Sequence, residues 1–195
     1  MNVLVVHCHP DPTSFSAHLR DRVVSVLRGR GHDVDLLDLY AEGFEPELTA
    51  PDRVTHRDPP STKPHLLDHA CRLQRAEALV FVYPTWMGGQ PAMLKGWFDR
   101  VWINGIAYAL PEGAGRVRPL LRNVRHIVAV TTHGSSKLVN SVEGEPGKRV
   151  ITRSLRVLCH RFTRTSWIAL YGIDRATEAD RAAFVARVER RLSRL

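Results

Sequence analysis

The chain alternates between two hydrophobic rhythms. Asn2–Val6, Ala78–Tyr83 and His126–Thr131 are nearly continuous apolar runs, the pattern of strands buried on both faces. Asp33–Leu39 alternates, with Val34, Leu36 and Leu39 as its apolar positions, and Ser166–Tyr171 completes a set of five predicted strands.

Between the strands the spacing changes to that of helices. Phe15, Leu19, Val23, Val26 and Leu27 recur at helical intervals, with Gly29 or Gly31 as the stop. His65–Ala76 is a second, weaker segment. Pro91 suits the first turn of a third helix, which turns Leu94, Trp97, Phe98, Val101 and Trp102 inward. Gly147–His160 is a fourth. A fifth opens at Thr177, with Asp180 placed as in a capping box, and carries Phe184, Val185, Val188, Leu192 and Leu195.

Strand–helix alternation of this kind predicts an α/β fold. It is a doubly wound, five-stranded parallel sheet with helices on both faces, and residues 1–195 form a single domain. Gly43–Pro64, rich in Pro, Asp, Thr and Arg, is the irregular segment. Its length suits a lid, a binding loop or a subunit contact, and equally disorder.

Composition narrows the class. Of 195 residues 44% are hydrophobic and 25% charged, the balance of a soluble globular chain. No apolar run is long enough to span a membrane. MNVLVVHCHP lacks a basic region ahead of its apolar run, so it reads as a first strand, and the expected location is the cytoplasm. The three cysteines, Cys8, Cys71 and Cys159, are expected as free thiols.

A net charge of +8 is compatible with anionic partners. The densest basic segment runs from Lys148 to Arg164. On a helix it would align Arg149, Arg153, Arg156 and His160, a stripe that reads first as a solvated face. It carries few aromatics for stacking on bases and no nucleic-acid motif, so no nucleic-acid partner is expected.

In a doubly wound sheet, ligands bind beyond the carboxyl ends of the strands. Three loops meet there. HCHPDPTSFS, residues 7–16, offers Thr13, Ser14 and Ser16 where the first helix begins, and a helix N-terminus favours phosphate. Ser14 also suits plain N-capping. On a strand, His7 and His9 point away from Cys8, so no metal site is expected. PTWMGGQP, residues 84–91, joins two glycines to Trp86 and Met87, which suits a flat ligand approached closely by backbone. THGSSK, residues 132–137, lies at the ring's far edge. Phosphate at one end and a planar ring at the other fits FMN or FAD.

YPTWMGGQPAMLKGWFDRVW at 83–102, the spacing of His9 to Ser14 and Phe15, DLY at 38–40 and TTHGS at 131–135 together resemble the flavodoxin-like NAD(P)H:quinone oxidoreductases. That group includes DT-diaphorase, the modulators of drug activity and the ancillary flavoproteins of potassium efflux. The resemblance covers roughly residues 2–140. It implies a flavoenzyme passing hydride from NAD(P)H through bound flavin to a quinone or similar acceptor. The flavin would be FAD, with FMN as the alternative. The resemblance also implies a homodimer and allows a transporter partner, and a flavin-binding regulatory subunit with little turnover is the other reading. It assigns His9, Ser14, Phe15 and Ser16 to the flavin phosphate. It places Pro84, Thr85, Trp86, Met87 and Gly88 on the isoalloxazine, with Thr131, Thr132, His133 and Gly134 flanking it.

The chain departs from the family at four positions. Gly88 replaces a frequent aromatic, and His133 stands where many members have Gly. Val139 and Glu145 occupy the positions of a Tyr and a His that handle charge near the ring. His133 is the candidate acid or charge-stabilising group in their stead.

Overall fold

A computed structural model describes residues 1–58, 63–111, 113 and 115–195. Its main sheet has five parallel strands: β1 (Asn2–His7), β2 (Asp33–Asp38), β3 (Ala78–Pro84), β6 (His126–His133) and β7 (Arg164–Tyr171). Their order is β2-β1-β3-β6-β7. The chain winds outward from β1 in one direction and then returns to wind in the other. The loops after β1 and β3 therefore part at the switch point, and a crevice opens there.

Alternation along the strands builds two cores. Val3 and Val5 of β1 join Val80, Val82, Leu19, Val23, Phe184 and Val188 on one face. Leu4 and Val6 join Phe81, Leu94, Trp97, Phe98 and Trp102 on the other. The first face is covered by α1 (Phe15–Gly29) and α7 (Glu178–Leu192), and the second by α3 (Leu67–Arg75) and α4 (Ala92–Val101). Ser14 caps α1 through the Ala17 N–H, and Thr177 with Asp180 forms the expected capping box on α7.

The predicted helix over Gly147–His160 is not uniform. α6 (Pro146–Arg149) passes into wider π-type turns over Val150–Leu155 and a tight turn over Arg156–Leu158, and then ends. The changing twist breaks the basic stripe. Arg156 turns back to donate to the Thr163 carbonyl at 2.8 Å, and the Arg149 guanidinium lies against Gly144. His160, beyond the helix, accepts from the Phe162 N–H.

Within the predicted irregular segment, α2 (Ala50–Val54) is a short capped helix and Thr55–Arg57 one further turn. Residues 59–62 of that segment lie outside the described residues. The segment is fixed to α4 by Arg100, which donates to the Glu45 carbonyl and pairs with Asp52 at 3.2 Å. The antiparallel pair β4 (Tyr108–Ala109) and β5 (Arg118–Pro119), and α5 (Lys137–Val142), have no counterpart in the sequence reading. No helix among the described residues is long and apolar enough to cross a membrane.

Candidate functional site

At the carboxyl edge of the sheet lies an open cleft of about 1270 Å³. Pro84–Gly88 form one wall and Thr132–Ser136 the other. Gly172–Arg175, after β7, and Val139, Asn140, Glu143 and Pro146 close it. All of the proposed ring-binding residues line this cleft except Thr131, which is buried directly beneath and bonded to Thr85. The first loop does not line it. That loop reaches the cleft through His9, whose ring centroid is 5.9 Å from that of Trp86.

The second loop is shaped by its glycines. Trp86 and Gly89 exchange both backbone hydrogen bonds, at 3.1 and 3.0 Å, which closes a tight turn. Gly88 takes φ 74°, a left-handed conformation free of cost only for glycine, while Met87 holds φ 47° and projects wholly into solvent. Trp86 is 43% exposed, so it is not a core residue that happens to sit in a turn.

Behind the loop stands a segment the sequence reading did not place at the site. The Gly147 N–H donates to the Gly88 carbonyl at 3.2 Å, and Gln90 Nε2 donates to the Gly147 carbonyl at 2.7 Å. A Cβ on Gly147 would come within 3.1 Å of Gly89 Cα. Pro146 packs beside Gly88, 3.5 Å from where a Cβ would stand there. The space beside Gly88 is thus occupied by Pro146 at the start of α6.

His133 ends β6 and is 4% exposed. Its Nδ1 is 2.7 Å from Asn140 Oδ1 and its Nε2 3.3 Å from Thr85 Oγ1. Thr85 Oγ1 is in turn 2.9 Å from Thr131 Oγ1. The ring stacks on Tyr171 at 4.6 Å, and Trp167 meets it edge-on. Burial pushes the His133 imidazole below the ordinary histidine range, although Asn140 and the charges of Glu145 and Glu143 pull the other way.

Glu145 does not face the cleft. It holds a left-handed φ of 46° and accepts from the Tyr171 hydroxyl and from Lys148 Nζ, both at 2.6 Å. Burial opposes its ionisation, but the Lys148 and Tyr171 contacts prevail and hold its carboxyl below the usual range.

In the first loop, Ser14 is spent on capping and the Thr13 hydroxyl donates to Asp11 at 2.7 Å. His9 Nδ1 accepts from the Asp11 N–H at 3.0 Å. Ser16 is the hydroxyl left over. It is 5% exposed, and its Oγ has no partner among the described residues. A buried unpaired hydroxyl in the first turn of a helix, beside N–H groups without intrahelical acceptors, fits a phosphate. His7, wholly buried, sends Nδ1 to Asp38 at 2.9 Å, and Cys8 joins the opposite core, so the three residues of HCH diverge. The sequence reading missed the contributions of Gly172–Arg175, Asn140 and Pro146. The rule that ligands gather beyond strand ends would have reached only the first of these.

Comparison with known proteins follows the same lines. A ribosyldihydronicotinamide dehydrogenase [quinone] of Pongo abelii is 30% identical over 154 residues, which are 70% of this chain and 65% of the relative. An NAD(P)H dehydrogenase [quinone] 1 of Cavia porcellus is 28% identical, over 69% of this chain and 54% of its own. The chain therefore spans between half and two thirds of the length of these relatives. Among solved structures, an NAD(P)H:quinone oxidoreductase from Methanothermobacter marburgensis superposes with a TM-score of 0.82 at 26% identity, covering 99% of this chain and 98% of the other. The family model described as flavodoxin-like fold matches residues 1–194, and with the sheet order and the crevice at its switch point this shows that the chain belongs to the flavodoxin-like fold family.

Proposed function

We propose that the protein is a flavin-dependent NAD(P)H oxidoreductase that delivers reducing equivalents to a quinone or a similar planar acceptor. The observation that carries this reading is the pairing of two features. One is a wide cleft walled by Trp86, Met87 and Gly88. The other is a buried, unpartnered Ser16 hydroxyl at the N-terminus of α1, joined to the cleft by the His9–Trp86 contact. The names of the relatives support the same activity class.

Bound flavin would supply the hydride chemistry; the chain supplies its place. Ser16 and the first N–H groups of α1 hold the phosphate, with His9 beside them. Pro84–Gly88 and Thr132–Gly134 grip the ring from two sides. The exposed apolar side chains Trp86, Met87 and Val139 line the cleft, and Leu138 and Val142 are exposed on the same helix as Val139; this apolar surface suits a planar acceptor and the face of a second copy in a homodimer. The acid role expected of His133 draws no support from its buried, doubly engaged imidazole.

The test is an absorption spectrum after reconstitution with FAD and FMN separately, followed by anaerobic NADH or NADPH. Flavin that survives desalting and bleaches identifies a reductase and its cofactor. Retained flavin that resists both nicotinamides favours a regulatory flavin-binding subunit. If neither flavin is retained, the reading fails.

A further inference from the structure

The hydrogen-bond partners of His133 assign its ring hydrogen. Asn140 Nδ2 faces two backbone carbonyls, Ser136 O at 2.8 Å and Ser135 O at 3.4 Å. Carbonyls only accept, so the amide nitrogen must point at them and the amide oxygen at His133. Asn140 Oδ1 can only accept, so Nδ1 of His133 must donate. In a neutral imidazole this leaves the lone pair on Nε2. Thr85 Oγ1 then donates to Nε2, and Thr131 Oγ1 donates to Thr85.

We propose that Asn140 is a positioning residue that locks His133 in one tautomer, hydrogen on Nδ1 and lone pair on Nε2, so that the nitrogen turned to Thr85 in the cleft wall accepts a hydrogen bond and does not donate one. The proposal rests on the flavin reading only for its consequence; the tautomer itself rests on the distances.

The surroundings fit. The same chain of hydroxyls could serve a charged ring if both reversed, with Nε2 donating to Thr85 and Thr85 to Thr131. Thr131 would then donate to the Thr132 carbonyl, which lies at 3.5 Å, the outer limit of a hydrogen bond. The charged state is therefore the less well satisfied. The charged or titratable groups that face His133 are Glu143 and Glu145 beyond α5 and Tyr171 on β7. Glu145 is already neutralised by Lys148 and Tyr171, and burial outweighs the remaining attraction.

The experiment is nitrogen-15 NMR of the imidazoles in the flavin-free protein across a pH series, on wild type, Asn140→Asp and Thr85→Val. In the wild type, Nδ1 should carry the hydrogen and the ring should titrate below the ordinary histidine midpoint. In Asn140→Asp a carboxylate meets Nδ1–H, and the midpoint should rise by roughly 1–3 pH units. Thr85→Val should leave the hydrogen on Nδ1, because Asn140 alone dictates it. A hydrogen on Nε2 in wild type would overturn the proposal, as would a midpoint that Asn140→Asp leaves in place. Because these spectra need no flavin, they stand apart from the proposed activity. With flavin bound, Asn140→Asp adds a carboxylate to the site, so the flavin midpoint potential should move to more negative values where the imidazole is neutral, and less so where a charged imidazole offsets it. An imidazole that shifts while the potential does not would instead remove His133 from the ring's surroundings and count against the cofactor placement.

Discussion

Pro46 lies directly on Gly96. An ideal Cβ at Gly96 would stand 2.3 Å from the Pro46 carbonyl oxygen and 2.5 Å from its Cβ. The glycine of LKGWFDRV is therefore the point where the segment after β2 crosses α4. In an ordinary helix interior, Gly→Ala stabilises by ~1 kcal/mol. Here the sign reverses: Gly96→Ala must push a backbone atom aside, and overpacking of this kind costs about 1–3 kcal/mol. Urea unfolding should show a lower midpoint for Gly96→Ala at unchanged slope.

The same crossing depends on Arg100. Its guanidinium is buried, pairs with Asp52 and donates to the Glu45 carbonyl. Arg100→Ala would leave a half-paired carboxylate under the segment, and breaking a buried pair costs roughly 3–5 kcal/mol. Asp52 keeps its Thr49 contacts, which sets the expectation at the lower end. Limited proteolysis should cut Arg100→Ala between residues 44 and 58 faster than wild type, while a fragment pattern identical to wild type would refute the pin.

Much of this fold was legible because its signals are local. The buried strands β1, β3 and β6 are continuous apolar runs, and the caps of α1 and α7 are written in Ser14, Thr177 and Asp180. The tight turn at Trp86–Gly89 was legible too, since adjacent glycines after a buried strand mark a close turn. What escaped was set by tertiary contact. The turns of Val150–Leu155 read as α-helix because apolar spacing barely distinguishes wider turns over so few residues. Asn140 carries no signal until β6 and α5 bring it to His133. The turn at Pro146 matters only because Gly88 leaves room for it.

Ser14 and Ser16 should separate capping from binding. Ser14→Ala removes the N-cap of α1 and should cost about 1 kcal/mol of stability. Ser16→Ala removes a buried hydroxyl that has no partner, so the protein without flavin should be as stable as wild type or slightly more so. Flavin retention should move the other way, with Ser16→Ala losing more than Ser14→Ala. Thermal unfolding of the flavin-free proteins, beside equilibrium dialysis with FMN and FAD, checks both. Equal flavin affinity in the two variants would remove Ser16 from the phosphate site.

Acid should weaken the fold before carboxylates alone would. Burial holds both His7 and His133 below the ordinary histidine range, so each is neutral when folded and takes up a proton on unfolding below pH ~6.5. Unfolded chains then bind more protons than folded ones, and stability falls as pH drops from that value towards the folded midpoints. Asp38 acts in the same direction at lower pH. Burial resists its ionisation, but His7, the Ala41 N–H and Arg20 hold its carboxyl below the usual range, and that contribution is lost as pH falls through the folded value. The unfolding midpoint should therefore be level between pH ~7 and ~8 and begin to decline near ~6 as acid is added. Replacing His133 by Asn should make the upper part of that decline shallower, with His7 still contributing, and leave the lower, Asp38-linked part in place. A midpoint that stays level down to pH ~5 would mean that the two imidazoles are charged within the fold, contrary to their burial.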